Sequence, residues 1–528
     1  MKNSLILITA CALVLGACNT TPSLWGTHAA PTGYVPEPPV TKPSAPTVLP
    51  TPVSEPVPAT PTAIPTTTKT PVVIPTQDEP TSVSSPAPTS DVTPILYYTQ
   101  SGDTLQAVAT RFDVDVSEIS SSASLPKTGL IDPGTLLVIP EKLTEYGPNV
   151  QIMPDTEVIY SVSAANFDIY AYIAEAGGKL SKYREYLSSA GWTTGAQAIE
   201  RAAMENSINP QLLLALLDYQ GNWVTGNPKD TFHDQFPMGF EERFKKGVFK
   251  QTVLAVNELF IGYYGWRSGT LTEFTFPDGS TLRIAPDLNA GTVAIQYFFS
   301  NFYSQAEWQR VIDPNTGFPA FYAEHFGDPW RRAQNAGPIF PPGLTAPPMV
   351  LPFEPNREWS YTGGPHGAWE HDGPLAAIDF APATDKAGCT ESEKWLVAAA
   401  PGLVVRSSNG VVVLDLDGDG HEETGWNLMY LHVGTEDRVK FKTWVETDDR
   451  IGHASCEGGV STGTHLHLAR KYNGEWVLAD GPLPFILSGY VVHNGALPYE
   501  GTLTKGDTTI TAHPAGTAST IIYRQPYE

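Results

Sequence analysis

The chain has 528 residues, a formal net charge of −24 and 48 prolines crowded toward one end. That length exceeds what one hydrophobic core supports, so several domains are expected. The acidic balance argues against nucleic acid as a partner and against simple attraction to an anionic wall or membrane surface, which leaves recruitment to specific binding modules.

At the start, Lys2, the apolar run from Leu5 to Leu15 and the sequence Leu15-Gly16-Ala17-Cys18 read as a secretory signal, residues 1–18, too short to span a bilayer. The segment resembles a bacterial lipoprotein signal, which implies diacylation of Cys18 and an exported chain anchored to the membrane and facing the cell wall; an ordinary signal with an incidental cysteine is the alternative. Residues 19–94 are rich in Pro and Thr and nearly free of charged and aromatic side chains. Such a stretch cannot bury enough surface to fold and is expected to act as an extended spacer of about 3 Å per residue. With Cys11 removed and Cys18 lipidated, Cys389 and Cys456 remain. In an oxidising compartment a disulfide between them is the economical reading, with two buried free thiols as the alternative.

Residues 95–140 contain two β-type runs, Leu96 to Thr99 and Leu136 to Ile139. Between them lie two amphipathic stretches with Leu105, Val108, Phe112, then Val116 and Ile119, at helical spacing. Asp103 or Thr104 is placed to cap the first helix, and Asp132-Pro133-Gly134 is a turn by its chemistry. The segment resembles a LysM domain over its whole length, which implies a βααβ module that binds N-acetylglucosamine-containing glycan between its two turns, at Gly102, Asp103, Thr104, Ile131 and Pro133. A purely structural βααβ module is the other reading.

Residues 150–345 read as mainly helical. The patterned stretch from Ala198 to Leu217 resembles the helix pair at the entry of lysozyme-like lytic domains, in which a general-acid Glu follows the second helix. Here Gln220 holds that place, and an amide cannot donate the proton that glycosidic cleavage needs. Glu205 and Asp218 are the neighbouring carboxylates; an exposed helix face accounts for them without catalysis. The expectation is a lysozyme-like domain that holds glycan without cutting it.

Prolines at 341, 342, 347, 348 and 352 mark the next boundary. From 350 to 499, β-type runs (Leu403 to Arg406, Val411 to Leu416, Trp426 to His432, His465 to Ala469) alternate with Gly- and Asp-rich turns, so an antiparallel β domain is expected, followed by a tail over 500–528. Histidines concentrate here. In Gly463-Thr464-His465-Leu466-His467-Leu468 two imidazoles two residues apart leave one strand face, so one can meet a metal while the other meets the substrate beside it.

Together with Gly364-Pro365-His366, Ala376-Ala377-Ile378-Asp379-Phe380 and Tyr430-Leu431-His432, this set resembles the lysostaphin-type zinc endopeptidases, and the long interval from His366 to Asp379 resembles their β-lytic branch. The resemblance implies one Zn²⁺ per chain held by His366, Asp379 and His467, with His432 and His465 as the catalytic pair; His371 competes for the first ligand position. In Asp415-Leu416-Asp417-Gly418-Asp419-Gly420 the twelfth loop place is Trp426, not the Glu that closes a helical calcium loop, so a solvated hairpin tip is preferred to a calcium site.

The expected whole is multidomain: lipid anchor, spacer, LysM module, mainly α lysozyme-like domain and C-terminal antiparallel β peptidase. The resemblances imply a cell-wall hydrolase, a zinc metalloendopeptidase that cuts peptide cross-links of peptidoglycan, with glycan, peptide stems and the membrane as partners and no nucleic acid. The rivals are a non-catalytic wall-binding lipoprotein that regulates other hydrolases, and a secreted protease with protein substrates.

Overall fold

The computed structural model describes residues 93–369, 373–383, 388–390 and 392–526. Cys18, the spacer and the competing ligand His371 lie outside the described residues. Among the described residues no helix is long and apolar enough to cross a membrane.

The first module pairs β1 (Pro94–Tyr98) antiparallel with β2 (Leu136–Pro140), with Tyr97 opposite Leu137. Helix α1 (Leu105–Phe112) starts where Thr104 Oγ1 accepts from the Ala107 amide at 3.2 Å. The second expected helix is a single 3₁₀ turn, Val116–Glu118, closed by Asp115 and Glu118 capping each other's backbone. Tyr97, Val108, Phe112, Ile119, Ile131 and Leu137 form its small core.

In the helical region, α2 (Gly195–Asn206) opens with a Thr194–Gln197 capping box and α3 (Pro210–Gly221) with Asn209 as cap and Pro210 in the first turn, where a missing N–H costs nothing. The central helix α4 (Val248–Ser268) packs on α5 (Ala290–Ser300). Gly262 allows their close approach, since a Cβ there would stand 2.8 Å from Ala294 Cα.

The C-terminal part is built on a nine-stranded sheet. Its labelled strands are β3 (Trp359–Gly367), β4 (Leu375–Pro382), β5 (Gly402–Ser408), β6 (Val411–Asp415), β7 (Trp426–Leu431), β8 (Trp444–Val445) and β9 (Leu466–Tyr472). A smaller sheet contains β10 (Tyr490–Asn494), β11 (Gly501–Lys505) and β12 (Thr508–Thr511), and β13 (Ile521–Ile522) returns to the large one. The large sheet runs in the order β8-β5-β6-β7-β9-β4-β3-β13, with Glu475–Trp476 paired to the outer part of β9. Its labelled neighbours are antiparallel.

Both faces of this sheet are covered. Val411, Val413, Met429, Leu431 and Ala469 join the core of the helical region, while Val412, Leu414, Leu428, Tyr430 and Leu468 form a second core on the far side. A strand buried on two faces needs apolar residues at every position, which is why Val411 to Leu414 show no alternation. Polar pairs cross the same junction: Tyr263 Oη donates to Glu475 at 2.7 Å, Arg267 pairs with Glu475 at 3.0 Å, and Trp476 Nε1 donates to Asn206 O at 2.7 Å.

The expected tail over 500–528 is corrected. β11 pairs with β10, Leu503 opposite Val492, and β13 pairs with β3, Ile521 opposite Ser360. Leu503, Ile510 and Ile522 lie in the second core, and their burial makes these residues part of the β domain.

Candidate metal centre and cleft

Register builds the site. His467 on β9 stands directly opposite Asp379 on β4, and β3 lies along the other side of β4 with His366 opposite Ala377. One donor atom from each of His366, Asp379 and His467 lies within 4.8 Å of the others, and all three residues are buried. His366 Nε2 is 3.2 Å and His467 Nδ1 is 3.4 Å from Asp379 Oδ1, and the two ring nitrogens are 2.9 Å apart.

That last contact is not an ordinary hydrogen bond. His366 Nδ1 is 2.7 Å from Gly364 O and His467 Nε2 is 2.9 Å from Ala368 O, so each ring places its N–H on a carbonyl and turns a lone pair toward the centre. Two lone pairs and a carboxylate then converge in a buried space, and Asp379 Oδ1 itself lacks a hydrogen-bond donor. The arrangement is balanced only by a positive charge at the middle. Burial works against charge on His366, but the adjacent Asp379 outweighs it and raises the imidazole pKa; burial likewise opposes ionisation of Asp379, and His366 and its neighbours hold that carboxyl well below the usual range. A divalent cation with two imidazole ligands and one carboxylate meets the same demand, and this donor set suits zinc.

Two further imidazoles border the centre. His432 follows β7 with φ of 67°, a left-handed conformation uncommon for a side chain of its size, and Ser455 holds it there through N and Oγ contacts to His432 O at 2.7 and 3.1 Å. His432 Nδ1 is 2.8 Å from Glu457 O, and His465 Nδ1 is 2.8 Å from Gly463 O, which leaves Nε2 of each ring for other partners. The two rings lie 4.4 Å apart. Burial first, then the nearby His465 and His467, push His432 down to about 3, so it is neutral at neutral pH. The expected disulfide is present: Cys389 and Cys456 are bonded, and Thr464 donates to Gly388 O at 3.1 Å, so the bridge fixes the loop beside His465.

Two contributors were not legible beforehand. Tyr499 stacks on His366 with ring centroids 4.1 Å apart, and Gly363 leaves room for Asp379, whose Oδ2 a Cβ would meet at 2.6 Å. Only the glycine left a trace, in the Gly363-Gly364-Pro365 run.

Above the centre lies a cleft of about 730 Å³ whose second wall comes from the helical region, including Arg201, Glu205, Lys245 and Phe249. Glu205 pairs with Arg201 at 2.7 Å. Asp218 is buried and accepts from the Val224 and Thr225 amides at 2.7 and 3.0 Å, so it is not on an exposed face. Gln220 is buried with its Oε1 2.9 Å from Tyr303 Oη.

The glycan-binding residues expected in the first module are placed differently from the metal set. Asp103 is 1% exposed, accepting from Tyr97 Oη and the Gln100 amide at 2.7 Å and pairing with Arg111 at 2.7 Å; Ile131 belongs to the module's core. Thr104 and Pro133 are half-buried. Gly102 is buried beneath Arg267, whose guanidinium donates to Ser101 O. Gln100 Nε2 donates to Asp287 O at 2.9 Å, the Phe340 amide to Ser101 Oγ at 2.7 Å, and the Gly343 amide to Asp132 Oδ1 at 2.9 Å. Both turns of the module are thus docked against the rest of the chain.

Residues 97–140 match the LysM domain family, and residues 151–338 match the family described as LasA, N-terminal domain. Among curated relatives, protease LasA of Pseudomonas aeruginosa (strain UCBPP-PA14) is 26% identical over 354 residues, covering 63% of this chain and 77% of LasA. Beta-lytic metalloendopeptidase of Lysobacter enzymogenes is 25% identical over 143 residues, covering 27% of this chain and 77% of that protein. Among solved structures, the M23 metalloprotease pseudoalterin from the deep sea is 22% identical, covering 34% of this chain and 99% of that one, with a TM-score of 0.27. With a LysM domain, a helical region of the LasA type and an antiparallel β domain that carries the His, Asp, His group, the chain is a LysM-containing relative of the LasA and β-lytic endopeptidases of family M23.

Proposed function

We propose that the chain is a zinc metalloendopeptidase that cuts peptide cross-links of peptidoglycan. The observation that carries this reading is the convergence of His366 Nε2, Asp379 Oδ1 and His467 Nδ1, acceptors all, at the floor of an open cleft. Zinc at that point supplies Lewis acidity toward a scissile carbonyl and lowers the pKa of a water toward about 7. The chain does the rest. Gly364 O and Ala368 O fix the two ligand tautomers. Neutral His432, with a lone pair on Nε2 and His465 beside it, would take the attacking water's proton, steady the developing oxyanion as the protonated ring, and return the proton to the leaving amine.

The LysM match supports a wall polymer as substrate, and a lipidated Cys18 would keep the enzyme at the membrane facing that wall. Glycan access to the module's groove requires its first turn to part from Arg267 and Phe340 and its second from Gly343. We read the helical region as a lysozyme-like domain that cuts no glycan: an amide stands in the acid's place, Asp218 is consumed by its loop, and Glu205 is paired with Arg201. Offering the protein both purified peptidoglycan and an unfolded protein tests the substrate assignment. Digestion of the protein substrate alone overturns it.

A further inference from the structure

The hairpin between β6 and β7 carries chemistry that the peptidase centre does not use. Asp415, Asp417 and Asp419 stand at alternate positions, and one carboxylate oxygen of each lies within 4.8 Å of the others. Oxygens that ligate one ion at 2.3–2.6 Å are at most about 5 Å apart, so these three already share the span of one coordination sphere. Their charge is unbalanced. The next acid, Glu422, is met by Arg406 and Lys471, each at 2.9 Å, whereas among the described residues none of the three aspartates pairs with Lys or Arg.

A separate observation points to the same place. Asn427 is opposite Asp415 in the β6–β7 ladder, so both side chains leave the same face of the sheet. It is 1% exposed, and its amide nitrogen donates into the hairpin loop, to Thr424 O at 2.8 Å. Its Oδ1 is buried without a hydrogen-bond partner. A buried acceptor calls for a donor or a cation, and three carboxylates on the adjoining hairpin favour the cation.

We propose that this hairpin binds one Ca²⁺ through Asp415, Asp417 and Asp419, with the Asn427 amide oxygen as the neutral donor on the buried side. All donors are oxygens, which disfavours zinc, and two of the aspartates sit on an exposed loop free to adjust to a large, geometrically tolerant ion, which favours calcium over magnesium. The closing glutamate of a helical loop is not needed where the opposite strand supplies a ligand. Because β7 runs from this hairpin to His432, the ion braces the strand that delivers a catalytic imidazole.

Terbium is a direct probe. Trp444 packs against Gly418, where a Cβ would lie 2.8 Å from the indole, so its excitation sensitises Tb³⁺ bound in the loop. In the zinc-loaded full chain we expect saturable emission from one Tb³⁺ per chain. Ca²⁺ displaces it at concentrations at which Mg²⁺ does not, and zinc content is unchanged. The double substitution Asp417→Asn with Asp419→Asn, both at exposed positions, weakens binding at least tenfold. Calcium also raises the melting temperature of the unaltered chain, a readout independent of any variant. Absent saturable emission, equal displacement by Mg²⁺, emission unchanged in the double variant, or a melting temperature indifferent to calcium overturns the proposal.

Discussion

Replacing Arg267 by Met tests how the LysM module is held. The guanidinium lies 3.0 Å from Glu475 and 2.9 Å from Asp155, donates to Ser101 O beside Gly102, and is 8% exposed. Met fills much of the same volume, so the main loss is the charge, which leaves two largely buried carboxylates facing each other. Removing one partner from such a network costs about 3–5 kcal/mol. Burial already raises the Glu475 pKa, with Asp155 adding to it, while Arg267 opposes both; without Arg267 it rises further. A carboxyl whose folded pKa lies above its unfolded value destabilises the fold fully above the folded pKa, and that penalty fades as pH falls through it. The denaturant midpoint of the variant, followed by tryptophan fluorescence, should therefore drop strongly at pH 7.5 and recover part of the loss at pH 5. Binding of a soluble N-acetylglucosamine oligomer should at the same time strengthen, because the guanidinium that holds Ser101 and lies over Gly102 is gone. A loss below about 1 kcal/mol, or one that is the same at both pH values, refutes the reasoning.

Asp379→Ala or His467→Ala should remove zinc and activity together, checked by metal analysis and peptide release. His432→Ala should keep zinc and slow turnover by roughly 10² or more, the range for lost acid–base or oxyanion help; equal metal loss there would show that His432 is a ligand. Chelation should abolish lysis and added Zn²⁺ restore it. Cys389→Ser with Cys456→Ser opens a link of sequence separation 67 and should cost about 4 kcal/mol on the chain-entropy account, measured by denaturant unfolding; an unchanged midpoint contradicts it.

The proposed metal set was reached in sequence through short motifs that resemble the lysostaphin-type endopeptidases; period two alone put His465 and His467 on one strand face, and the register that sets Asp379 opposite His467 is visible only in the structure. The first cap was readable from local chemistry as Asp103 or Thr104, and Thr104 fills it. What depends on distant surfaces was not readable. Val411 to Leu414 gave no sign that one face meets the helical region, since a two-sided strand and any apolar run look alike in sequence. The C-terminal strands were missed because they are short and threonine-rich, with single buried residues such as Leu503 and Ile510. Docking of the first LysM turn rests on Arg267 and Phe340, 166 and 239 residues from Ser101, beyond the reach of any local pattern.

The central claim is that the cleft cuts peptide bonds in wall cross-links, and mass spectrometry of fragments released from purified peptidoglycan by the zinc-loaded chain tests it most directly. The account predicts new amino termini within the cross-linking peptides, intact glycan repeats, and no release by the His467→Ala variant. Fragments bearing new reducing ends or anhydro-sugars with uncut peptides, or unchanged release by that variant, would contradict it.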